Sequence, residues 1–350
     1  MVVTPLSTLM STSTSFASHL RRAQGETVKI QAEVASGRLY DVGKTLGYGT
    51  EALVSFRQEI EIGRRSIDVN KQVAARLDAS QAALDAIVTN ANGFMSALMS
   101  ARGDPRTAGI VSEQAESAFK AFTDAANTSF AGSFVFSGIE TALAPFEDYF
   151  STPPPASRNA VAAAFSTEFG FSSADPAVSN ISVSSMQAFM DNTFASLFDD
   201  ANWNSTWSAA SSQPISSMVS GSREVTTSVS AASQAFRSLT AAFVLVADSG
   251  TKNLNDATFV ALIDQAVESL GKGIALMTEL QGTLGTAQQQ VQAAIETTSV
   301  RSDLLEEYVG RTEGVDLSEL SVRLNSLLNQ LEATYAVTGR LQNLSLLNAL

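Results

Sequence analysis

The chain has 350 residues, with 22 Lys and Arg against 35 Asp and Glu for a formal charge of −13, one histidine and no cysteine. At about 150 residues per domain the length allows two to three domains, and the acidic balance argues against coating nucleic acid or an anionic membrane. Without cysteine, and with His19 alone, disulfides, thiolate nucleophiles, zinc–thiolate sites and most histidine-based metal or triad chemistry are excluded.

Charged residues make up 16 % of the chain, where about 25 % is usual. A surface so low in charge suits packing against other copies or other proteins. The longest apolar stretch, around Leu239 to Ala247, is about half of the roughly 20 residues a membrane helix needs. The opening Met1-Val2-Val3-Thr4-Pro5 lacks the basic, apolar and small-residue regions of a secretory signal. The chain is therefore expected to stay inside or to leave by a route without a cleaved signal.

Alternating steps of three and four residues from Leu6 give Leu9, Ser13, Phe16, Leu20, Ala23, Thr27, Ile30 and Val34, the apolar-leaning stripe of a long helix with a coiled-coil repeat. Gly37 and Gly43 are expected to supply positive φ angles where this helix breaks. Gly43-Lys44-Thr45 echoes the end of a phosphate loop, but Arg38 stands where that motif wants glycine and no apolar strand precedes it. A second stripe runs from Leu53 through Phe56, Ile60, Asn70, Leu77, Leu84 and Ala91 to Leu98, predicting one helix of about 48 residues. Gly103-Asp104-Pro105 ends it, and a further helix is expected from about Thr107 to Ser129, with Val111, Ala115, Ala118, Phe122 and Ala125 on one face. The basic pairs Arg21-Arg22 and Arg64-Arg65, with Glu26, Glu59 and Glu61 nearby, read as helix-surface ion pairs.

The middle is different in kind, rich in proline and phenylalanine and holding both tryptophans, Trp203 and Trp207. Ser133 to Phe136 and Val178 to Val183 suit strands, and Met186 to Phe198 suits a short helix. Beyond a loop with an N-cap expected at Asp256, Phe259 to Tyr308 reads as another long helix. The last stripe steps from Leu317 through Leu320, Leu324, Leu327, Leu331, Thr334 and Thr338 to Leu341, with Leu344 and Leu347 continuing its face. It mirrors the first, so the two ends are expected to pack against each other or against other copies. Ser, Thr and Ala within both stripes weaken a stand-alone coiled coil, and disorder of the ends in the free monomer follows as an expectation.

Chemistry finds little to build on. No serine has a Gly-x-Ser-x-Gly setting or a nearby histidine base, and Glu147-Asp148 and Asp199-Asp200 lack a periodic ligand loop. An enzyme in the middle segment would need a carboxylate pair such as Asp175 and Asp191 facing one cleft. An intracellular coiled-coil adaptor is a further alternative. The reading is a non-enzyme without cofactor or metal, mainly α, in which N- and C-terminal arms form long antiparallel helical rods around an inserted α+β middle domain. Its divisions are 1–45 with 306–350, 46–140 with 241–305, and 141–240.

Four passages refine this. They are Val34-Ala35-Ser36-Gly37-Arg38 at the close of the first helix, Gly132-Ser133-Phe134-Val135-Phe136-Ser137-Gly138-Ile139-Glu140-Thr141 followed by Pro145-Phe146, Leu280 to Gln288, and the closing Leu331-Glu332-Ala333-Thr334-Tyr335 to Leu346. In them the chain resembles the flagellin superfamily and, within it, the subunits that join flagellar hook and filament. Phe134 departs from the tyrosine frequent in that family, and the filament subunit's usual C-terminal wording is absent. The resemblance implies an extracellular structural protein of the bacterial flagellum, exported unfolded through the flagellar type III route with an export chaperone. Its partners would be other hook-associated proteins, flagellin and its own copies in a ring or tube, with no nucleic acid and no membrane. The alternative within the family is a filament subunit. The terminal helices would form an inner tube, through a subunit interface of Leu6, Leu9, Phe16, Leu20, Ile30, Val34, Leu317, Leu320, Leu324, Leu327, Leu331, Leu341, Leu344 and Leu347.

Overall fold

The computed structural model describes the backbone of residues 6–221 and 223–347 and the side chains of 14–221 and 223–340. The protein is mainly α-helical, with long helices and two small antiparallel hairpins. In chain order the helices are α1 (Leu6–Ser36), α2 (Val42–Leu46), α3 (Gly49–Arg102), α4 (Ala108–Ala126), α5 (Ala156–Phe169), α6 (Val183–Ala188), α7 (Asp200–Asn202), α8 (Gln234–Asp248), α9 (Asp256–Glu313) and α10 (Leu317–Leu347). The strands are β1 (Ser129–Phe130) and β2 (Ser133–Phe134), then β3 (Ser216–Ser220) and β4 (Arg223–Thr226). No helix among the described residues is long and apolar enough to cross a membrane.

Contacts divide the chain into two units, 1–64 with 299–350 and 65–298. The first carries 11 basic and 13 acidic side chains and the second 11 and 22, so nearly all of the net charge sits in the second. The near-neutral first unit can approach its own copies with little net repulsion.

In the unit of residues 65–298, α3, α4, α8 and α9 supply one hydrophobic core. The expected face of α4 is inward, with Val111, Ala115, Ala118 and Phe122 buried. The apolar run 239–247 belongs to α8, which is buried almost all round, as a helix without a polar face must be. It packs on α4, and α9 comes so close that a Cβ on Gly273 would lie 2.6 Å from Leu239 Cδ2. Between β1 and β2, Ala131 (φ 49°) and Gly132 (φ 79°) both take the left-handed conformation, which a two-residue hairpin turn demands.

The same core runs on into the middle segment. Phe146, Trp203, Trp207, Phe198, Phe194, Phe189 and Phe165 touch in succession, with ring centroids 4.7 to 6.1 Å apart. Trp203 and Trp207 lie on one π-helical turn and Phe189 and Phe194 on another. Polar ties reinforce the junction: Tyr149 Oη donates to Asp248 Oδ2 at 3.0 Å, and Arg158 Nε donates to the same oxygen at 3.1 Å. Burial first, then the Asp248 charge, holds the Tyr149 phenol protonated well above its usual range. Asn70, a polar residue within an apolar stripe, is buried because its Nδ2 donates to the Val219 carbonyl of β3 at 2.8 Å.

Three local expectations are corrected. Val178 to Val183 is not a strand: Pro176–Asn180 is a 3₁₀ turn whose first amides are capped by Asp175, and Val183 opens α6. Asp-Pro at a helix start is the signal that outweighs the β-branched residues here. Positive φ occurs at Gly37 and Gly47, whereas Gly43 lies within α2 and has none. The cap of α9 is Asn255 rather than Asp256, since Asn255 Oδ1 accepts the Thr258 amide at 3.0 Å. Asn255 Nδ2 also donates to the Ser179 and Ile181 carbonyls, so one side chain caps α9 and ties the middle segment to it. Asn255→Ala is expected to cost about 1–2 kcal/mol, read as a lowered urea midpoint with an unchanged slope.

Candidate assembly interface

In the unit of residues 1–64 and 299–350, α1 and α10 pack along each other, and Gln24 Nε2 donates across the pair to Tyr335 Oη at 2.7 Å. Among the described side chains of α10, Leu320, Leu324, Leu327, Thr334 and Thr338 are half-buried and Leu331 is buried, while all others are exposed. On α1, Thr27 and Ile30 are buried and Leu20, Ala23 and Val34 half-buried. The periodic stripes are thus turned toward each other within one chain. Phe16 and Leu317, at 40 and 50 % exposure, stand outside this contact. The side chains of Leu6, Leu9, Leu341, Leu344 and Leu347 lie outside the described residues.

The segments linking this pair to α3 and α9 meet at one level. Leu39 N donates to the Glu313 carbonyl at 2.9 Å and Val315 N to the Gly37 carbonyl at 3.2 Å, with Arg38 and Gly314 bridged between them. Gly37 reverses the chain at φ 69°, and Asp316 caps α10 through the Ser318 amide at 2.8 Å. Glu313 is 1 % exposed, and its carboxylate receives Arg57 Nη2 at 2.6 and 2.5 Å. Around this pair, Leu53, Ile60 and Val309 form a small core, and Phe56 meets Tyr308 edge to face at 5.2 Å.

Further ion pairs align α3 with α9: Arg64 with Glu306 at 2.8 Å, and Arg301 with Glu59. Glu26 takes Lys29 rather than Arg22. The Arg57–Glu313 pair spans 256 residues of sequence, so no local pattern could have revealed it. Removing the guanidinium leaves a buried carboxylate uncompensated, so Arg57→Ala is expected to cost about 3 kcal/mol locally. Hydrogen exchange should show the Leu39 amide losing protection while residues 65–298 keep theirs.

The candidate chemical residues have structural positions. The Lys44 amide, which a phosphate loop would present to ligand, donates to Asp41 Oδ1 at 3.0 Å in the α2 cap, and that bond holds the Asp41 carboxyl below its usual range. Asp175 is occupied as a cap, and Asp191 lies exposed on a π-helical turn. Asp148 accepts the Phe150 amide at 3.0 Å, and Asp200 pairs with Arg237. His19 is exposed on α1. Among the described residues no three His, Cys, Asp or Glu side chains converge on a point where a metal could sit. The arrangement can hold helices together and offer helix surfaces.

Comparison with protein families gives two matches. Residues 6–141 match the bacterial flagellin N-terminal helical region, and residues 263–350 match the bacterial flagellin C-terminal helical region. No curated protein matches the chain.

Proposed function

The chain belongs to the flagellin superfamily, and from that membership we propose that it is the structural subunit joining the hook-associated ring to the flagellar filament. Flagellin-family proteins are structural and self-assemble into flagellar tubes outside the cell. The observation that carries the reading is the thinness of the pair formed by the first and last helices. Among their described side chains only Thr27, Ile30 and Leu331 are buried, and helices packed so lightly depend on further contacts for stability. Neighbouring copies supply those contacts on assembly, which couples folding of the termini to incorporation. The near neutrality of this unit favours the same step.

The junction position, rather than the filament itself, is supported by the closing passage Leu331 to Leu346. In this reading 1–45 and 306–350 build the inner tube, 46–140 and 241–305 the outer tube, and 141–240 faces solvent. The partners are hook-associated proteins and flagellin, and the route out is flagellar export with a chaperone.

Electron microscopy of the full-length protein incubated with hook-bearing basal structures and with filament fragments tests this. A thin cap confined to hook ends, without fibre growth, is expected. Long fibres grown from the protein alone make it a filament subunit instead. A monomer that caps nothing and keeps protease-resistant ends overturns the flagellar placement in favour of an intracellular adaptor.

A further inference from the structure

The middle segment holds a cavity that the assembly of helices does not use. It measures about 240 Å³, and Glu147, Asn204, Ser205, Thr206, Trp207 and Ser208 are among its walls. Asn204 to Trp207 lie on the π-helical turn Trp203–Trp207, a form of helix that is rare and recurs at functional sites.

Trp207 is 6 % exposed, and its indole N–H is buried with no hydrogen-bond partner. A buried donor left unpaired costs stability, so such groups are few in folded proteins and each has a cause. The other indole is satisfied, since Trp203 Nε1 donates to the Ala231 carbonyl at 3.2 Å. Tyr149 and Trp203 stack on the Trp207 ring at interplanar angles of 9 and 12°, and Phe198 packs on it with centroids 4.7 Å apart. With its faces taken by other rings, Trp207 meets the cavity by its edge, and the edge carries the N–H.

The walls specify the chemistry of an occupant. Glu147 is the one charged residue among the described lining residues, so an anion would be repelled. An ammonium group would suit the carboxylate but has no lone pair for the indole N–H, whereas a hydroxyl both donates and accepts. Glu147 and Asn204 are exposed, and their side chains have no hydrogen-bond partner among the described residues, which leaves them open to further hydroxyls. The volume falls just under the roughly 300–1,000 Å³ of drug-sized pockets and suits one ring rather than a chain of them. We infer that this cavity binds a single neutral sugar ring, one hydroxyl accepting the Trp207 N–H and another donating to Glu147. The ring is a free monosaccharide or the end of a glycan.

Two tryptophans give two indole signals in a nitrogen–proton correlation spectrum of the full-length protein. Glucose, galactose, mannose and N-acetylglucosamine are added in turn to about 0.1 M, since a small ring held by a few hydrogen bonds binds in the millimolar range. One of these sugars is expected to move one indole signal downfield, as a new hydrogen bond does, and to leave the other in place. Trp207→Phe should retain only the immobile signal. Glu147→Gln removes a charged acceptor from an exposed position and should weaken binding about tenfold, with both signals of the sugar-free protein unchanged.

The methyl α-glycoside of the sugar that binds separates the two sources. Equal binding of the glycoside supports the end of a glycan, and binding of the free sugar alone supports a monosaccharide. Four sugars that move neither signal mean that the cavity holds water only, and overturn the inference. So do two signals that move together, or a Glu147→Gln protein that binds as tightly as before. None of these measurements involves a hook or a filament, so the sugar site and the flagellar placement stand or fall separately.

Discussion

Leu331→Asp is expected to abolish incorporation into the flagellum while residues 65–298 stay folded. Leu331 is the one deeply covered apolar side chain among the described residues of α10, at 9 % exposure, and faces α1 together with Leu324 and Leu327. Removing it forfeits roughly 1.5–3 kcal/mol of burial, and the carboxylate put in its place adds a desolvation cost of similar size or more. The pair has few other buried contacts to absorb that loss. A penalty of about 4 kcal/mol corresponds to nearly a thousandfold in equilibrium, so the α1–α10 pair should open and incorporation fall below detection in the seeded assay. Leu324→Asp, at a half-buried position, should act in the same direction but less strongly. Hydrogen exchange checks that the rest of the fold survives: protection should persist over α4 and α8 as in the unsubstituted protein. A Leu331→Asp protein that assembles normally would exclude the stripe from any part in assembly.

Gly138→Ala is expected to destabilise the unit of residues 65–298 by about 3 kcal/mol, combining a left-handed backbone penalty with overpacking. Gly138 has φ 61°, and a Cβ there would lie 2.5 Å from the Gln213 carbonyl oxygen and 2.6 Å from that of Ser211. Both obstacles are backbone and cannot rotate aside. They are also held in place, since Ser211 N donates to the Ser137 carbonyl at 3.0 Å and Ile139 N to the Gln213 carbonyl at 3.2 Å. Gly132→Ala is the control: φ is 79° but nothing lies within 4 Å of the added atom, so only the backbone penalty of about 1–2 kcal/mol applies. Thermal unfolding of both variants should separate strain from collision. Equal losses would mean that the Ser211 to Gln213 segment yields.

The sequence by itself determined the long helices, and it left open whether the first and last of them pack on each other or on other copies. Their periodicity repeats over many turns and needs only local geometry to be read, as the stripes ending at Val34 and beginning near Leu320 show. The flagellin likeness lay in the same arms, and both arms match the family models. Short elements of the middle were legible only in part. At residues 176–183 a single Asp-Pro start competes with β-branched residues, and the cap of α9 moves by one position because Asn255 also finds carbonyls at Ser179 and Ile181. The tertiary structure alone decided the matters that depend on partners far away in sequence. Asn70 is explained by Val219, Arg57 by Glu313, Gly138 by the carbonyls of Ser211 and Gln213, and the aromatic residues of the middle by a core they share with α4 and α8. It also decided which apolar side chains are left over: a periodic pattern marks a face to be covered, but only packing shows that α1 and α10 cover each other while Ile62 and Leu304 remain in solvent.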